Sequence, residues 1–531
     1  DYVKPVTETE IKLTEIWQRI LDRKAVGIQD NFFHLGGHSL KMIKLSNQIF
    51  VNFGMHLNIK EIYIHPTIEE QAAYIDRSLN SYTLTIPQAA IAPSYPLSSS
   101  QYRMYNICSI DAQVNKAYNI RIIDIKNEAV NLEFFTRAVY DLIERHEILR
   151  TAFVTNENGE PGQTIIPIEK TEPLKIQYLD LRNSETLEKD LQKALIETAD
   201  VSFNLETPPL MKAALISVKE DKWIISILFH HIIFDGWSTD VFVKELYALY
   251  EKYSKNSAIA LPPLAIQFKD YAAWEQSMIK SEAIEADKKY WLKQFEGNLP
   301  IVSELGDQKR PNIKTHNGAV RSKVLEGSIL KDLNSLCENE EVSRFMVFLA
   351  VTNILIYKNT GDQDIITGSP IVNRDYPELF DQIGFYANTI PLRTHLNESA
   401  SFTATLKQVK ENVIKAKEHQ KFPLDELIKL LDIKYDAGRN PLFDIIVTAR
   451  EENNQASDLE SYDAIIDAVG NGISAKFDLT FDFLVTDSTL TLTLEYNTDI
   501  FSSEKITALL NHLEQILVQV TQNGDQKISA I

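Results

Sequence analysis

A stretch without any sustained hydrophobic period, SLNSYTLTIPQAAIAPSYP at residues 78–96, divides this sequence into two unequal parts. Pro87, Pro93 and Pro96 predict a linker that is stiffened by proline rather than freely flexible. Before the stretch, apolar residues recur at helical spacing, whereas after it helical and strand periods alternate. The chain has 531 residues, which is more than one hydrophobic core organises, so we expect about three folding units.

Residues 1–77 are predicted to form a small four-helix bundle. Thr7-x-x-Glu10 and Thr67-x-x-Glu70 are typical of capping boxes, which mark the first turns of helices. Between them, SLKMIKLSNQIFVNFG predicts a helix with one broad apolar face. The unit is short, so its core must be small.

The pattern from residue 97 onward is mixed α and β, which makes the fold class α+β overall. We predict two α/β halves of comparable length, residues 97–268 and 269–531, with Ser238 capping a helix in the first. Strands are predicted at Ala117–Lys126, Lys222–Phe229, Asp364–Thr367, Phe477–Val485 and Thr489–Tyr496. Helices are predicted at Asn131–Arg145, after Ser238, near 285–295 and 342–357, and over Ile506–Val520.

Charge and composition exclude several classes of function. The formal net charge is -20, and a phosphate-binding face needs excess Lys and Arg, so we predict no nucleic-acid partner. No apolar run reaches 18 residues, which predicts no membrane span and a cytoplasmic location. Two cysteines far apart in sequence indicate neither a disulfide framework nor a metal site. The sequence begins without Met, and we expect it to be a section of a longer chain.

The segment ILFHHIIFDGWS, residues 227–238, carries the most chemistry. On a strand, neighbouring side chains point to opposite faces, so His231 can reach a cleft while His230 packs into the scaffold. Gly236 offers either a positive φ or a close backbone approach. A histidine on an apolar face is more often a core residue than a catalytic one, and from this segment alone both interpretations stay open.

Further motifs resolve that choice by resemblance. The chain from about residue 94 to its end resembles the condensation domain of non-ribosomal peptide synthetases, because seven segments match the family's motifs in order. They are SSSQYRMY (98–105), RHEILRTAF (145–153), HHIIFDGWS (230–238), FKDYAAWEQ (268–276), IGFYANTIPLR (383–393), HQKFPLDELI (419–428) and GRNPLFD (438–444). The first departs slightly, with Ser100 and Met104-Tyr105 where Ala and Leu-Trp are usual. The resemblance implies two chloramphenicol-acetyltransferase-like α/β subdomains in a V shape.

The front unit resembles the peptidyl carrier domain of the same synthetases. DNFFHLGGHSL, residues 30–40, matches the attachment signature, which places 4'-phosphopantetheine on Ser39. A serine after Gly-Gly at the start of a helix is approachable, which agrees with that role. Without the flanking motif, a plain helix cap would be the commoner interpretation.

The resemblance implies amide formation between two carrier-bound thioesters. His231 would accept the proton of the acceptor amine or orient that amine, and the Gly236 N–H would help to hold the oxyanion. Asp235 is expected to be structural and to pair with Arg374, because an unpaired buried carboxylate is costly.

Three further residues complete the predicted site. His230 would act through packing. Asn440 and Ser369 are candidates for polar lining, although Asn440 could equally just tie its own Arg-Asn-Pro turn.

The resemblance also implies binding partners, and several other domain types are alternatives to a condensation domain. It implies a phosphopantetheinyl transferase, upstream and downstream adenylation and carrier domains of the same synthetase, and aminoacyl or peptidyl thioesters, with the chain itself a monomer. An epimerisation domain shares the histidine motif, but no EGHGRE-like segment is present. A cyclising variant would carry two aspartates, and a non-catalytic recruitment domain usually degrades the motif. A free acyl-CoA acyltransferase would not need the front unit.

Overall fold

The chain is described by a computed structural model, and its fold is α+β. The structure describes residues 2–37, 39–53, 57, 59–78, 86–110, 112–156, 159–302, 305–434, 436–451 and 474–531. None of the helices in these ranges combines the length and the apolar character that a membrane span requires.

Residues 8–78 form a helical unit, called the front bundle below. Its helices are α1 Glu8–Leu21, α2 Ser39–Phe53, α3 Ile59–Ile64 and α4 Ile68–Ser78. The predicted capping box at Thr7 is present, since Thr7 and Glu10 bond each other's backbone N–H. Trp17 lies in the core, and its indole N–H donates to Gln71 at 3.1 Å, which satisfies a buried polar pair.

The first half of the larger part is built on two sheets. Their strands are β1 Tyr95–Pro96, β2 Asn119–Lys126, β3 Thr151–Thr155, β4 Pro161–Ile165, β5 Ile176–Asp180, β6 Met211–Lys219 and β7 Lys222–His230. The strand orders are β2-β7-β6-β5 in one sheet and β1-β4-β3 in the other. The helices are α5 Ser99–Ile110, α6 Ala112–Ala117, α7 Leu132–Arg145, α8 Leu187–Ala199, α9 Gly236–Ser254 and α10 Phe268–Ile279. Strand β7 lies inside its sheet, which explains its nearly continuous run of apolar residues.

The second half contains a sheet of six strands. The strands are β8 Gly318–Leu325, β9 Asp364–Ile371, β10 Asn388–His395, β11 Ile445–Glu451, β12 Leu479–Val485 and β13 Leu490–Asn497. Their order in the sheet is β10-β9-β11-β12-β13-β8. The helices are α11 Glu285–Gln294, α12 Ile329–Glu340, α13 Arg344–Thr360, α14 Phe402–Glu418, α15 Leu424–Leu430 and α16 Ser503–Gln522. Helix α13 is buried from Met346 through Ile356, so it forms the centre of this half.

The structure differs from the predicted linker of residues 78–96 in its later part. Ile86 is buried in the core of the first half, and the Ala89 N–H donates to Asp270 at 2.8 Å. Tyr95 and Pro96 form β1, which pairs antiparallel with β4. Residues 86–96 are therefore part of the packed body that follows. Residues 79–85 lie outside the described ranges.

The two halves are also less separate than a division at residues 268 and 269 suggests. That division falls at the start of α10, whose Phe268 and Tyr271 lie in the core of the first half. From the second half, Leu379 and Phe385 return to the same core. The segment between β9 and β10 thus joins the halves, and the predicted site lies at this junction.

The front bundle rests on the second half. Tyr63 of α3 packs against the core of that half, and the Lys417 ammonium lies 5.4 Å from the centroid of its ring. Burial lowers the pKa of Lys41 in the first turn of α2, where Glu451 and Arg344 of the second half act on its charge. The start of α2 therefore faces the second half.

Candidate active site

His231 lies just beyond the end of the central strand β7. The strand ends at His230, so His231 lies outside the strand whose alternating faces were used to predict its direction. A 3-10 turn over His231–Ile233 follows. The His231 N–H nevertheless donates to the Tyr118 carbonyl at 2.8 Å, so the backbone stays tied to the sheet. The two imidazoles still have different surroundings, because the Phe385 ring packs on His231 and the Phe203 ring packs on His230.

The tautomer of His231 follows from its hydrogen bond. Nδ1 lies 2.7 Å from the Phe234 carbonyl oxygen, which can only accept, so Nδ1 carries the proton. In the neutral ring, Nε2 is then unprotonated and can accept a hydrogen bond. The Phe385 ring lies 4.4 Å from the imidazole, centroid to centroid, and fixes its plane from the other half.

Electrostatics keep His231 neutral. Burial lowers the pKa of His231 to about 3, and the charges of Lys476 and Arg103 act in the same direction, while the bond to Phe234 opposes them. At neutral pH the ring is therefore an acceptor and a weak base.

His230 is enclosed by the scaffold. Its side chain is buried, Nδ1 accepts from the Ile232 N–H at 3.2 Å, and the Phe203 ring packs edge-on at 6.2 Å. Burial lowers the pKa of His230 to about 3, with further contributions from His231 and Lys476. These contacts place His230 in the packing of the first half.

The predicted pairing of Asp235 with Arg374 is present as a buried ion pair between the two halves. Arg374 Nη2 lies 3.0 Å from Asp235 Oδ1, and both side chains are buried. The other carboxylate oxygen accepts from the Tyr386 N–H at 3.1 Å. Both carboxylate oxygens of Asp235 thus have a partner, which is what a carboxylate buried in a protein requires.

Arg374 is held as firmly as its partner. Nη1 donates to the Leu379 carbonyl and, at 2.6 Å, to the Gln382 carbonyl. The guanidinium carbon lies 4.2 Å from the centroid of the Tyr386 ring, a cation–π contact. The pair therefore fixes the segment between β9 and β10 against the start of α9.

The start of α9 corrects the expectation for Ser238 and removes one of the two alternatives for Gly236. The N-cap is Asp235 and not Ser238, since the Asp235 side chain accepts from the Ser238 N–H at 2.9 Å and from its hydroxyl at 2.7 Å. Gly236 does not adopt a positive φ. It is exposed, and a Cβ on it would meet no atom within 4 Å, so this glycine leaves open space at the start of the helix.

The two candidate lining residues are placed differently from the histidine. The Asn440 N–H donates to Asp444 at 2.8 Å and its side-chain oxygen accepts from Lys314, so its bonds serve its own turn and one neighbouring lysine. Ser369 is buried in β9, opposite Ile390 of β10. The structure records no bond between either residue and His231.

Sequence reasoning missed three residues near His231. Tyr118 receives the histidine N–H, Phe385 packs on its ring, and Lys476 acts on its charge. Phe385 lies in the segment IGFYANTIPLR, which could have indicated it. Tyr118 and Lys476 carried no signal, because their nearness depends on how two distant segments pack.

The front bundle places Ser39 at the first residue of α2. The preceding Gly36 has φ +92°, and a Cβ on Gly37 would come 2.2 Å from the Phe32 ring, so both glycines are required by the turn. A helix start favours a phosphate, so this position fits a phosphopantetheine group. The Ser39 side chain lies outside the described residues, as does His38.

Comparison with known proteins agrees with this division. The family described as "Condensation domain" matches residues 91–531, and "Phosphopantetheine attachment site" matches residues 12–75. Among curated proteins, the chain is similar to Tyrocidine synthase 3 of Brevibacillus parabrevis, with 32% identity over 98% of this chain and 8% of that protein. The chain spans between 7% and 20% of the length of the curated relatives compared.

Solved structures show the same fold. The X-domain from teicoplanin biosynthesis in complex with OxyB has a TM-score of 0.74 at 22% identity, covering 85% of this chain and 98% of that one. The first condensation domain of the calcium-dependent antibiotic synthetase, in complex with a substrate analogue, has a TM-score of 0.67 at 20% identity, covering 82% and 98%.

Proposed function

We propose, from the premise that this chain belongs to the non-ribosomal peptide synthetase family as a carrier domain followed by a condensation domain, that it forms an amide bond between two carrier-bound substrates. The donor would be held on Ser39 and the acceptor on a separate carrier. The phosphopantetheine arm supplies a thioester, which is an activated acyl group. The observation that carries the proposal is the fixed tautomer of His231, whose Nε2 is left as an acceptor at the junction of the halves.

The role of His231 follows from its weak basicity. A free α-amine has a pKa of about 7.7 to 8, so a minority is uncharged and nucleophilic at neutral pH. A histidine with a pKa of about 3 cannot deprotonate an ammonium to a useful extent. It can, however, hold the neutral amine through Nε2 and accept a proton once the forming bond has made that nitrogen acidic.

The remaining site residues would support this geometry. Asp235 and Arg374 hold the start of α9 against the second half, and His230 fills the space behind the strand. Gly236 is the first residue of α9, where backbone N–H groups have no acceptor within the helix, so its N–H can donate to an oxyanion. Asn440 and Ser369 would have no role beyond lining the path by which the substrates approach His231.

Mass spectrometry tests whether the phosphopantetheine arm is attached to Ser39. Incubation with a phosphopantetheinyl transferase and coenzyme A should add one arm to the wild type and none to Ser39→Ala. A modified Ser39→Ala protein would remove Ser39 from the proposal.

The reaction is tested by product analysis. Donor-loaded protein mixed with a loaded acceptor carrier should yield the amide on the acceptor carrier, as read by mass spectrometry. Recovery of the donor with an inverted α-carbon and no amide would instead indicate an epimerisation domain.

A further inference from the structure

Lys476 of the second half lies beside the elements that position His231. It is partly buried and stands three residues before β12. Its ammonium lies 5.5 Å from the centroid of the Tyr118 ring, and the carbonyl of Tyr118 is the one that receives the His231 N–H. Its charge acts on both histidines of the motif. The charge of a lysine in the second half therefore acts on the histidine of the first half.

The main chain of Lys476 is fixed on both sides. Its N–H bonds the Glu495 carboxylate of β13, and its carbonyl accepts from the Lys314 ammonium. The preceding residue, Ala475, donates its N–H to the His316 carbonyl at 3.0 Å. The side chain thus extends from a rigid base, as a group that stabilises developing charge should.

The ammonium itself has no carboxylate in contact with it. Within the part of the chain that the structure describes, no ion pair joins Lys476 Nζ to a carboxylate within 4 Å. Burial lowers the pKa of Lys476, and the charge of Glu495 opposes this only in part. Lys314, in contrast, donates to Asn440 and to the Lys476 carbonyl. Because burying an unpaired charge is costly, Lys476 is suited to an anionic oxygen brought by a ligand.

We propose that Lys476 binds the oxygen of the donor carbonyl and stabilises the negative charge that develops there during amide formation. This inference rests on the proposed function. The amine lone pair forms the C–N bond while the carbonyl π electrons move to oxygen. On collapse, the C–S bond breaks, and the proton lost by nitrogen ends on the sulfur. Lys476 exchanges no proton, and its contribution is charge.

Substitution of Lys476 tests the assignment. Lys476→Met keeps the length of the side chain and removes the charge, and Lys476→Arg keeps the charge. Lys323→Met is the matched control, because Lys323 is a partly buried lysine of the same sheet that pairs with Glu514. Single-turnover condensation should fall about 100-fold in Lys476→Met, the scale of losing one oxyanion donor. Lys476→Arg should retain more of the rate, and Lys323→Met nearly all of it.

Different outcomes overturn different parts of the account. A folded Lys476→Met protein with a wild-type rate overturns the role of Lys476 and leaves amide formation intact. Wild-type protein that forms no amide overturns the proposed function itself. The assay is run with alanine and leucine substrates and again with aspartate and glutamate. A loss confined to the acidic substrates would make Lys476 a side-chain binding group and overturn the oxyanion role.

A second readout needs no loaded substrate. NMR of labelled histidines, with His231 assigned through His231→Ala, reports the pKa of this ring in the unmodified protein. Lys476→Met should raise that pKa, because Lys476 and Arg103 are the two charged side chains that lower it. An unchanged pKa would mean that the ammonium does not face the histidine, which would contradict the proposal.

Discussion

His230 and His231 stay neutral in the folded chain under conditions in which free histidine is protonated. Both have a pKa of about 3 because burial penalises the charged ring, whereas an unfolded chain restores about 6.5. Between these values the unfolded state binds more protons than the folded state. The free energy of unfolding therefore rises with pH through this window and falls as the pH drops below about 6.5.

This linkage gives the first prediction. Wild type should lose stability from pH 6.5 to 4.5 more steeply than His230→Gln, by up to about 1.4 kcal/mol per pH unit for the one group removed. Urea unfolding at several pH values measures both slopes. Equal slopes would show that His230 takes up a proton in the folded state.

The ion pair between Asp235 and Arg374 gives the second. Asp235→Ala leaves a buried guanidinium without its anion, so it should cost about 3 to 5 kcal/mol of unfolding free energy. Asp381→Ala is the matched control, because Asp381 pairs with Lys244 at 3.7 Å in a highly exposed position, and it should cost little. Denaturant melts compare the two, alongside His231→Ala, which should melt near wild type. A fully stable Asp235→Ala protein without turnover would place the aspartate in the chemistry.

At the scale of elements, helix α9 begins where the site opens. Gly236 is its first residue, it is exposed, and a Cβ there would meet no atom within 4 Å. A larger residue at this position should therefore fold normally while filling space that a substrate needs.

The third prediction compares two glycines. Gly236→Val should keep the melting temperature of wild type and lose condensation. Gly384→Ala is the contrast, because its Cβ would lie 2.2 Å from the Phe268 ring in a packed core, and it should melt lower. Thermal melts and the condensation assay are run on both. A Gly236→Val protein with a wild-type rate would show that the open space lies outside the substrate path.

Periodicity predicted the elements well where one face is buried. The strand over Lys222–Phe229 and the helix ending at Arg145 were placed within a residue or so, because hydrophobic alternation reports burial directly. Ser238 was assigned as a cap because Ser suits that position, but Asp235 precedes it and accepts its N–H. Asp and Ser are comparable N-caps, so the local sequence allowed either residue, whereas the bond from Arg374, 139 residues away, to the same carboxylate leaves no local pattern.

The site could likewise be predicted only in part, because local patterns do not report contacts between distant segments. His231 and Asp235 lie in one of the seven motifs that carry the family resemblance, so both could be identified from the sequence. Arg374 lies outside those motifs and was named as the arginine that the resemblance implies for Asp235. The nearness of Tyr118 and Lys476 could not, since it arises from the packing of the two halves. The segment Leu379–Tyr386 also packs in the first half although it follows a strand of the second, and this exchange leaves no periodic signal.

At the scale of the whole molecule, the connection after the front bundle is shorter than the sequence predicts. Tyr95 is buried in β1 opposite Gln163, and Ile86 is buried in the same half. Only the stretch before Ile86 keeps the features that predict a linker, namely polar residues without an apolar period.

The fourth prediction follows from that boundary. Brief digestion with chymotrypsin should cut after Tyr82 or Leu84 and leave a stable fragment that begins at or before Ile86. Leu97 is the internal control, because it offers the same leucine chemistry as Leu84 but is buried in the core of the first half directly after β1, and it should resist cleavage. Mass spectrometry of the fragments identifies the site. First cleavage at Leu97 would show that the chain around β1 is not held by the first half.

Amide formation by this chain requires that a donor on Ser39 and His231 act in one reaction at the junction of the two halves. Single-turnover condensation measures this most directly, with donor loaded on Ser39 and acceptor supplied on a separate carrier. Wild type should form the amide, and folded His231→Ala should form it at least about 100-fold more slowly, in the range of acid–base groups. A folded His231→Ala protein with a near-normal rate would contradict the account and leave the proximity of the two substrates as the source of catalysis.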